Sequence, residues 1–318
     1  MTRTMLLVWF VLGLGPWGVF IPVVQATTGA EATTSRVPRV AATPASAEAG
    51  YAHPEWLADA VWLKQHLSDP ALQVVALTPL DTFAAGHIPG ATQVDWPELE
   101  ITDTSDASLA AWRETLATTL MRLGVAPEQT VVIYDEGSLF AARLWWIPRY
   151  LGHDDVRILN GGLPAWQAAG GEIATGANAV GAAASEPYPA TPDAGLLAQV
   201  PEVEAALGDP SVVLIDTRTA EEYAAGHIPG AVNIQFTSNA LPEAPKVWKP
   251  AAELRALYAA AGVTSDTAVI PYCTTGVRSA VTAFTLALLG YDTVALFTGS
   301  WAEWSANPDA PITVGSAP

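Results

Sequence analysis

The chain has 318 residues, half of them hydrophobic, so it is long enough for two ordinary domains that each bury a core. Its formal net charge is −18, which argues against a nucleic-acid partner or a polybasic contact with membranes. Cys273 is the single cysteine, so an internal disulfide is excluded.

The first 26 residues are typical of an export signal. A short basic segment, MTR, precedes an apolar run from Met5 to Val24, and small residues lead to a cleavage point after Ala26. Because the run approaches the ~20 residues that span a bilayer, a membrane anchor formed by residues 5–24 is the alternative. Glycines and prolines interrupt the run, so we expect a cleaved signal peptide over residues 1–26. The protein would then be periplasmic or secreted, without a stable membrane partner.

Two low-complexity segments follow. Residues 27–50 and 174–195 are rich in small residues and proline without periodicity, which predicts a flexible spacer and then a linker.

The segments on either side of the linker repeat each other. The octapeptide AAGHIPGA occurs at Ala84–Ala91 and at Ala224–Ala231, an offset of 140 residues (224 − 84). Three later matches share an offset of 138 residues (273 − 135). This regularity predicts a duplicated domain, with copies over residues 51–173 and 196–318.

Each copy alternates apolar runs with helical stretches. In the second copy SVVLIDTR, DTAVIPYC and TVALFTG predict strands, whereas AAELRALYAAAGV and RSAVTAFTLALLGY predict helices. This alternation indicates an α/β fold whose parallel sheet has helices on both faces. Ligands bind such sheets beyond the carboxyl ends of the strands, and Cys273 follows one of these strands.

Cys273 opens a loop, CTTGVRS, between a predicted strand and a predicted helix. Backbone N–H groups at a helix start favour an anion, and therefore a nucleophilic thiolate. A small buried core residue is the alternative interpretation of Cys273. The loop residues predicted to bind the substrate are Thr274, Thr275, Gly276, Val277 and Arg278.

Four residues separate Cys273 from Arg278, whereas cysteine phosphatases have five in this position. The shorter loop argues against a phosphatase and suits a lone sulfur atom carried on the cysteine. The histidines of the repeated octapeptide, His87 and His227, occur in both copies and are predicted to be turn and packing residues. Clustered His/Cys ligands and a GxGxxG motif are missing from the sequence, so we expect neither a metal nor another cofactor.

At CTTGVRS the sequence resembles the rhodanese family of sulfurtransferases. LIDTRTAEEYAAGHIPGAVNI and GSWAEW resemble two further motifs of that family, and the resemblance extends from about Tyr51 to Thr313. It implies two tandem rhodanese-like domains, each a parallel sheet of about five strands flanked by helices. It also implies that the second copy alone has a catalytic cysteine, with the active site between the copies.

The first copy has Asp135 where the second has Cys273, and it has no counterpart of Asp216 or Arg218. An aspartate cannot form a persulfide, so we expect a structural or regulatory first copy. Because Arg218 is lost together with the cysteine, we predict that it contacts the substrate. We expect Asp216 to fix Arg218 or the strand end rather than to act in proton transfer.

The resemblance implies transfer of a sulfane sulfur from a small anionic donor, through a Cys273 persulfide, to a thiophilic acceptor such as cyanide or a thiol. Thiosulfate and 3-mercaptopyruvate are the donors it implies, and Arg278 favours thiosulfate. The alternatives are a persulfide carrier that serves a partner protein and, less favoured, a cysteine phosphatase.

Overall fold

The computed structural model describes residues 50–177 and 188–318. The predicted signal peptide, nearly all of the spacer and the middle of the predicted linker lie outside these ranges. Within them, none of the helices is both long enough and apolar enough to cross a bilayer.

The first repeat forms one sheet in which all strand pairs are parallel. In chain order its elements are β1 (Leu57–Ala58), α1 (Ala60–His66), β2 (Leu72–Leu77), α2 (Leu80–Ala85), β3 (Thr92–Val94), α3 (Asp106–Arg122), β4 (Thr130–Tyr134), α4 (Ala141–Tyr150), β5 (Val156–Leu159) and α5 (Gly162–Ala168). The strand order is β1-β5-β4-β2-β3. The central strand β4, TVVIY, is buried along its whole length, as a strand with helices on both faces requires.

The second repeat has the same succession of elements. They are β6 (Leu197–Ala198), α6 (Val200–Ala205), β7 (Val212–Asp216), α7 (Ala220–Ala225), β8 (Val232–Asn233), α8 (Ala251–Ala259), β9 (Ala268–Tyr272), α9 (Val277–Leu288), β10 (Leu296–Phe297) and α10 (Ser300–Ala306). The parallel groups β8-β7-β9 and β10-β6 are connected through a parallel bridge between Val269 and Val294. The predicted α/β fold with two parallel, helix-flanked sheets is therefore confirmed.

The repeated octapeptide makes the same turn in both copies. His87 Nδ1 lies 2.9 Å from the Phe83 carbonyl oxygen, and the two rings stack at 3.9 Å. In the second copy His227 Nδ1 lies 2.9 Å from the Tyr223 carbonyl oxygen, and those rings stack at 3.7 Å. Both histidines are buried, so their placement agrees with the predicted packing role.

Helices α4 and α9 form the boundary between the repeats. Each lies against its own sheet on one side and against the other repeat on the opposite side, so both are apolar on nearly every face. The Phe284 ring lies between Trp145, at 4.8 Å, and Trp248, at 4.9 Å, with edge-to-face geometry in both pairs. One hydrophobic cluster runs through both repeats, and it fixes the start of α9 against the first copy.

Polar contacts also cross the boundary. The backbone N–H of Thr104 donates to Glu303 Oε1 at 2.6 Å, and the Thr104 hydroxyl donates to the same carboxylate at 2.9 Å. The Tyr51 hydroxyl donates to the Lys249 carbonyl at 2.7 Å. The Thr104 bonds join a loop of the first repeat to helix α10, and the Tyr51 bond joins two loops, so both limit the relative rotation of the repeats.

Truncation of the Phe284 side chain at the boundary between the repeats should destabilise the protein. We expect Phe284→Ala to lower the free energy of unfolding by about 3–5 kcal/mol, because it leaves a cavity between two tryptophans. Guanidinium chloride denaturation followed by tryptophan fluorescence measures the change. The matched control is Leu80→Ala, since Leu80 is 60% exposed. An unchanged midpoint for Phe284→Ala would contradict the packing described.

Candidate active site

Cys273 lies at the carboxyl end of β9, immediately before α9. The backbone N–H of Gly276 points at the Cys273 sulfur, with a nitrogen–sulfur distance of 3.1 Å. An amide at a helix start directed at sulfur stabilises negative charge on that atom. Cys273 is 1% exposed, so water has little access to the sulfur.

Gly276 satisfies two requirements of this loop. Its φ of +86° lies in the left-handed region, which glycine adopts without steric cost. A Cβ at this position would also stand 2.6 Å from the Thr298 carbonyl oxygen. Any larger residue would therefore move the amide that faces Cys273.

The start of α10 holds the loop from behind. The backbone N–H of Cys273 donates to Ser300 Oγ at 3.1 Å, and Ser300 Oγ donates to the Phe297 carbonyl at 2.8 Å. The N–H groups of Trp301 and Ala302 bind the carbonyls of Cys273 and Thr274, both at 3.0 Å. With these carbonyls occupied behind the loop, the following amides are free to turn towards the sulfur.

Ser300 was missed by the sequence analysis. Its φ is +54°, a conformation uncommon for a residue other than glycine, and the first copy has Gly162 at this position. The alignment of GGLPAW with GSWAEW pairs these two residues, and a serine in the place of the first copy's glycine was the available signal. The hydroxyl that the glycine lacks is the group that binds the Cys273 amide.

Arg278, predicted as a substrate contact, is held by Glu222. Its Nη1 and Nη2 donate to the two Glu222 oxygens at 2.7 and 2.8 Å, and Nη2 also donates to the Thr274 hydroxyl. The Arg278 hydrogen bonds lower the pKa of Glu222 to about 2. The Arg278 charge beside Cys273 is therefore already balanced by a carboxylate that the sequence analysis did not identify.

Glu222 also belongs to the local structure of α7. Its carboxylate accepts a hydrogen bond from the Thr219 N–H at 3.0 Å, while the Thr219 hydroxyl accepts from the Glu222 N–H at 3.2 Å. This reciprocal pattern is a capping box, and T-A-E-E was a visible sequence signal for it. The cap brings the carboxylate to Arg278, which only the folded arrangement of α7 and α9 reveals.

Arg218, predicted as a substrate contact, is held by internal partners. It is 3% exposed, its guanidinium binds both Asp216 oxygens and the Gly226 carbonyl, and it lies 4.5 Å from the centre of the Trp301 ring. Arg218 thereby supports the turn before α7, and Asp216 fixes it as expected. Its contact with the substrate stays a prediction.

The remaining loop residues differ in their surroundings. Val277 is buried, whereas Thr274 and Thr275 are half-buried at the surface of the loop. The Thr274 hydroxyl is engaged by Arg278. Their role as substrate contacts stays a prediction. In this loop the Gly276 N–H is directed at the sulfur, and the Arg278 side chain also interacts with Cys273.

The corresponding loop of the first repeat contains an anion of its own. The Asp135 carboxylate accepts hydrogen bonds from Gly137 N–H at 2.7 Å and Ala141 N–H at 2.8 Å, and two more from Ser138. Burial raises the pKa of Asp135, and these four bonds oppose that shift. The carboxylate therefore fills the space in which the second repeat holds sulfur.

A comparison with protein families matches the Rhodanese-like domain twice, at residues 59–169 and 199–307. Both matches lie inside the predicted copies. The structure resembles the crystal structure of SseA from Escherichia coli, described as a 3-mercaptopyruvate sulfotransferase with a rhodanese fold. The TM-score is 0.67 and the identity 33%, over 78% of this chain and 99% of SseA.

Three relatives align over nearly their whole length. The thiosulfate sulfurtransferase of Corynebacterium glutamicum is 35% identical over 289 residues, 83% of this chain and 92% of that protein. The 3-mercaptopyruvate sulfurtransferase of Escherichia coli K12 is 32% identical, covering 81% and 97%. The sulfur carrier protein TtuD of Thermus thermophilus is 34% identical, covering 84% and 99%. The chain therefore belongs to the rhodanese family and is a sulfurtransferase.

Proposed function

We propose that this enzyme takes a sulfane sulfur from thiosulfate, holds it as a persulfide on Cys273, and passes it to a thiophilic acceptor such as cyanide or a small thiol. The observation that carries this proposal is the Gly276 amide directed at the Cys273 sulfur at the start of α9. 3-Mercaptopyruvate is the second donor candidate, because a relative from Escherichia coli is named for it.

The chemistry has two steps. The Cys273 thiolate attacks the outer sulfur of thiosulfate, a new sulfur–sulfur bond forms, and the old one breaks with its electron pair leaving on sulfite. The terminal persulfide sulfur is then attacked by cyanide, which departs as thiocyanate and returns the thiolate. Charge and sulfur balance in each step, and neither step needs an oxidant or a metal.

The loop around the Cys273 sulfur suits a persulfide, which adds one sulfur atom to the cysteine. Gly276 N–H already contacts the first sulfur at 3.1 Å, and the loop N–H groups after it are the donors available to a terminal persulfide sulfur. The anionic sulfur donor has to bind a protein with a formal net charge of −18, which repels anions at long range. Positive side chains close to Cys273 are therefore needed for an anionic donor to bind.

We further propose that the protein is exported, with a signal peptide over residues 1–26. The basic start, the apolar run from Met5 to Val24 and the small residues before the predicted cleavage point support this proposal.

Replacement of the nucleophile tests the catalytic proposal. Cys273→Ser should reduce cyanide-dependent thiocyanate formation from thiosulfate by at least about a thousandfold, because an alcohol cannot carry the transferred sulfur. Mass spectrometry of the wild type after thiosulfate treatment should show one added sulfur atom on Cys273, which cyanide removes. Wild-type turnover by the serine variant would refute the proposal. A stable persulfide with negligible turnover would instead indicate a sulfur carrier.

Removal of the Glu222 charge should improve donor binding. We expect Glu222→Gln to lower the KM for thiosulfate several-fold, because it removes a negative charge and releases the Arg278 fork. The matched control is Glu221→Gln, an equal charge change at the exposed neighbouring residue. A higher KM for Glu222→Gln would show that Glu222 is needed to orient Arg278.

The same pair has a defined pH range. The ordinary pKa of Glu222 is 4.5, and Arg278 lowers it to about 2. The pair is therefore fully formed above about pH 4.5 and is lost as the pH falls towards 2. The KM ratio between wild type and Glu222→Gln should consequently stay constant across the neutral range.

The export proposal predicts a processed amino terminus. Protein recovered from the extracytoplasmic fraction of an expressing bacterium should begin at Thr27, as amino-terminal sequencing would show. Membrane-bound protein that retains Met1 would support the anchor alternative, and soluble cytoplasmic protein with Met1 would refute export.

A further inference from the structure

Arg143 is a charged side chain that the sequence analysis missed. It lies in the first turn of α4, the helix of the first repeat that packs against α9, and it is 0% exposed. Nη2 donates to the Leu99 carbonyl at 2.7 Å, and the guanidinium lies 5.5 Å from the ring centres of Trp112 and Trp146. Nε and Nη1 have no hydrogen-bond partner among the described residues.

Such a cation is unusual. Buried polar groups are nearly always hydrogen-bonded, and an unpaired buried charge is strongly unfavourable. Burial lowers the pKa of Arg143 to about 10, so the side chain stays protonated at neutral pH. Two unsatisfied donors on a permanent charge indicate a position that an external anion can fill.

The start of α4 lies close to the second repeat. Helix α4 packs against α9, which begins just after Cys273, and the Phe140 ring before α4 lies 5.8 Å from the Phe236 ring of the second repeat. Negative charge on Cys273 and, to a smaller extent, on Glu100 opposes the effect of burial on the Arg143 pKa. Glu100 Oε1, like Nε and Nη1 of Arg143, has no hydrogen-bond partner among the described residues.

The arginines predicted from the sequence already have carboxylate partners. Arg278 binds Glu222 and Thr274, and Arg218 binds Asp216 and the Gly226 carbonyl. The charge of each is therefore balanced before a donor binds. Arg143 differs from both, since its Nε and Nη1 are buried without a hydrogen-bond partner in the part of the chain that the structure describes.

We propose that Arg143 of the first repeat binds the anionic group of the sulfur donor while Cys273 of the second repeat attacks its sulfane sulfur. The inference rests on the sulfur transfer proposed above and assigns the recognition of donor charge to the repeat that lacks the nucleophile. Nε–H and Nη1–H lie on different sides of the guanidinium, so either can donate one charge-assisted hydrogen bond to an oxygen of a sulfonate or a carboxylate. With thiosulfate, the same contact stabilises the charge that collects on sulfite as the sulfur–sulfur bond breaks.

The single cysteine permits a direct test that does not require turnover. Iodoacetate and iodoacetamide alkylate the same thiolate and differ mainly in charge, so the ratio of their rates reports recognition of the anion and cancels changes in thiolate fraction. We expect Arg143→Met to lower the iodoacetate-to-iodoacetamide rate ratio by about ten- to a hundredfold, the usual effect of losing a charged hydrogen bond. Arg143→Lys should keep an intermediate ratio, since it keeps the charge without the planar guanidinium donors.

Arg113→Met is the matched control. Arg113 is a partly buried arginine of the same repeat whose Nε binds the Tyr150 hydroxyl at 2.7 Å, and its ratio should equal that of the wild type. Alkylation by iodoacetamide at a near wild-type rate shows that the Arg143 variants are folded around Cys273. An equal rate ratio in wild type and in both Arg143 variants would overturn the proposal.

Assays of the two steps of sulfur transfer distinguish a failure of this inference from a failure of the proposed function. In Arg143→Met the KM for thiosulfate should rise about ten- to a hundredfold, whereas cyanide should discharge a preformed persulfide at the wild-type rate, because that step contains no donor. Equal losses in both steps would contradict donor binding by Arg143. A lowered alkylation ratio in a protein that forms no thiocyanate would support Arg143 as the anion site and refute the proposed donor chemistry. Parallel assays with 3-mercaptopyruvate show whether Arg143 recognises a carboxylate as well as a sulfonate.

Discussion

The hydrogen bond from the Gly276 amide to the Cys273 sulfur closes a loop whose preceding peptide groups are held by contacts on the other side. A peptide group that binds through its carbonyl on one side presents its N–H on the other. The amides of Trp301 and Ala302 take the loop carbonyls, and Ser300 takes the Cys273 amide. The third shared motif, GSWAEW, thus shapes the anion cradle although it contributes no group that faces the sulfur.

The corresponding loop of the first repeat keeps its shape without a nucleophile. Asp135 supplies its own anion to the N–H groups at the start of α4, so the loop keeps its shape without a ligand. Helix α4 then packs against α9 with Arg143 in its first turn, and negative charge on Cys273 acts on that arginine. A repeat without the cysteine therefore still contributes packing and charge at the boundary.

The arginines near the Cys273 sulfur carry a charge opposite in sign to the net charge of the whole molecule. A formal net charge of −18 repels anions, whereas the positive charges of the buried Arg143 and the half-buried Arg278 both act on Cys273. Electrostatic attraction is stronger at short range and low dielectric than across solvent. Because Glu222 neutralises Arg278, the balance of attraction rests more on Arg143 than the sequence suggested.

The sequence by itself determined the duplication, the α/β class and the strand–loop–helix that contains Cys273, because these follow from local periodicity and from spacing along the chain. The tertiary structure alone decided which charges are paired. It joined Arg278 to Glu222, withdrew Arg218 into an ion pair with Asp216, and left Arg143 with unused donors. Such pairing depends on burial and on the packing of segments far apart in the chain, and no local pattern specifies either.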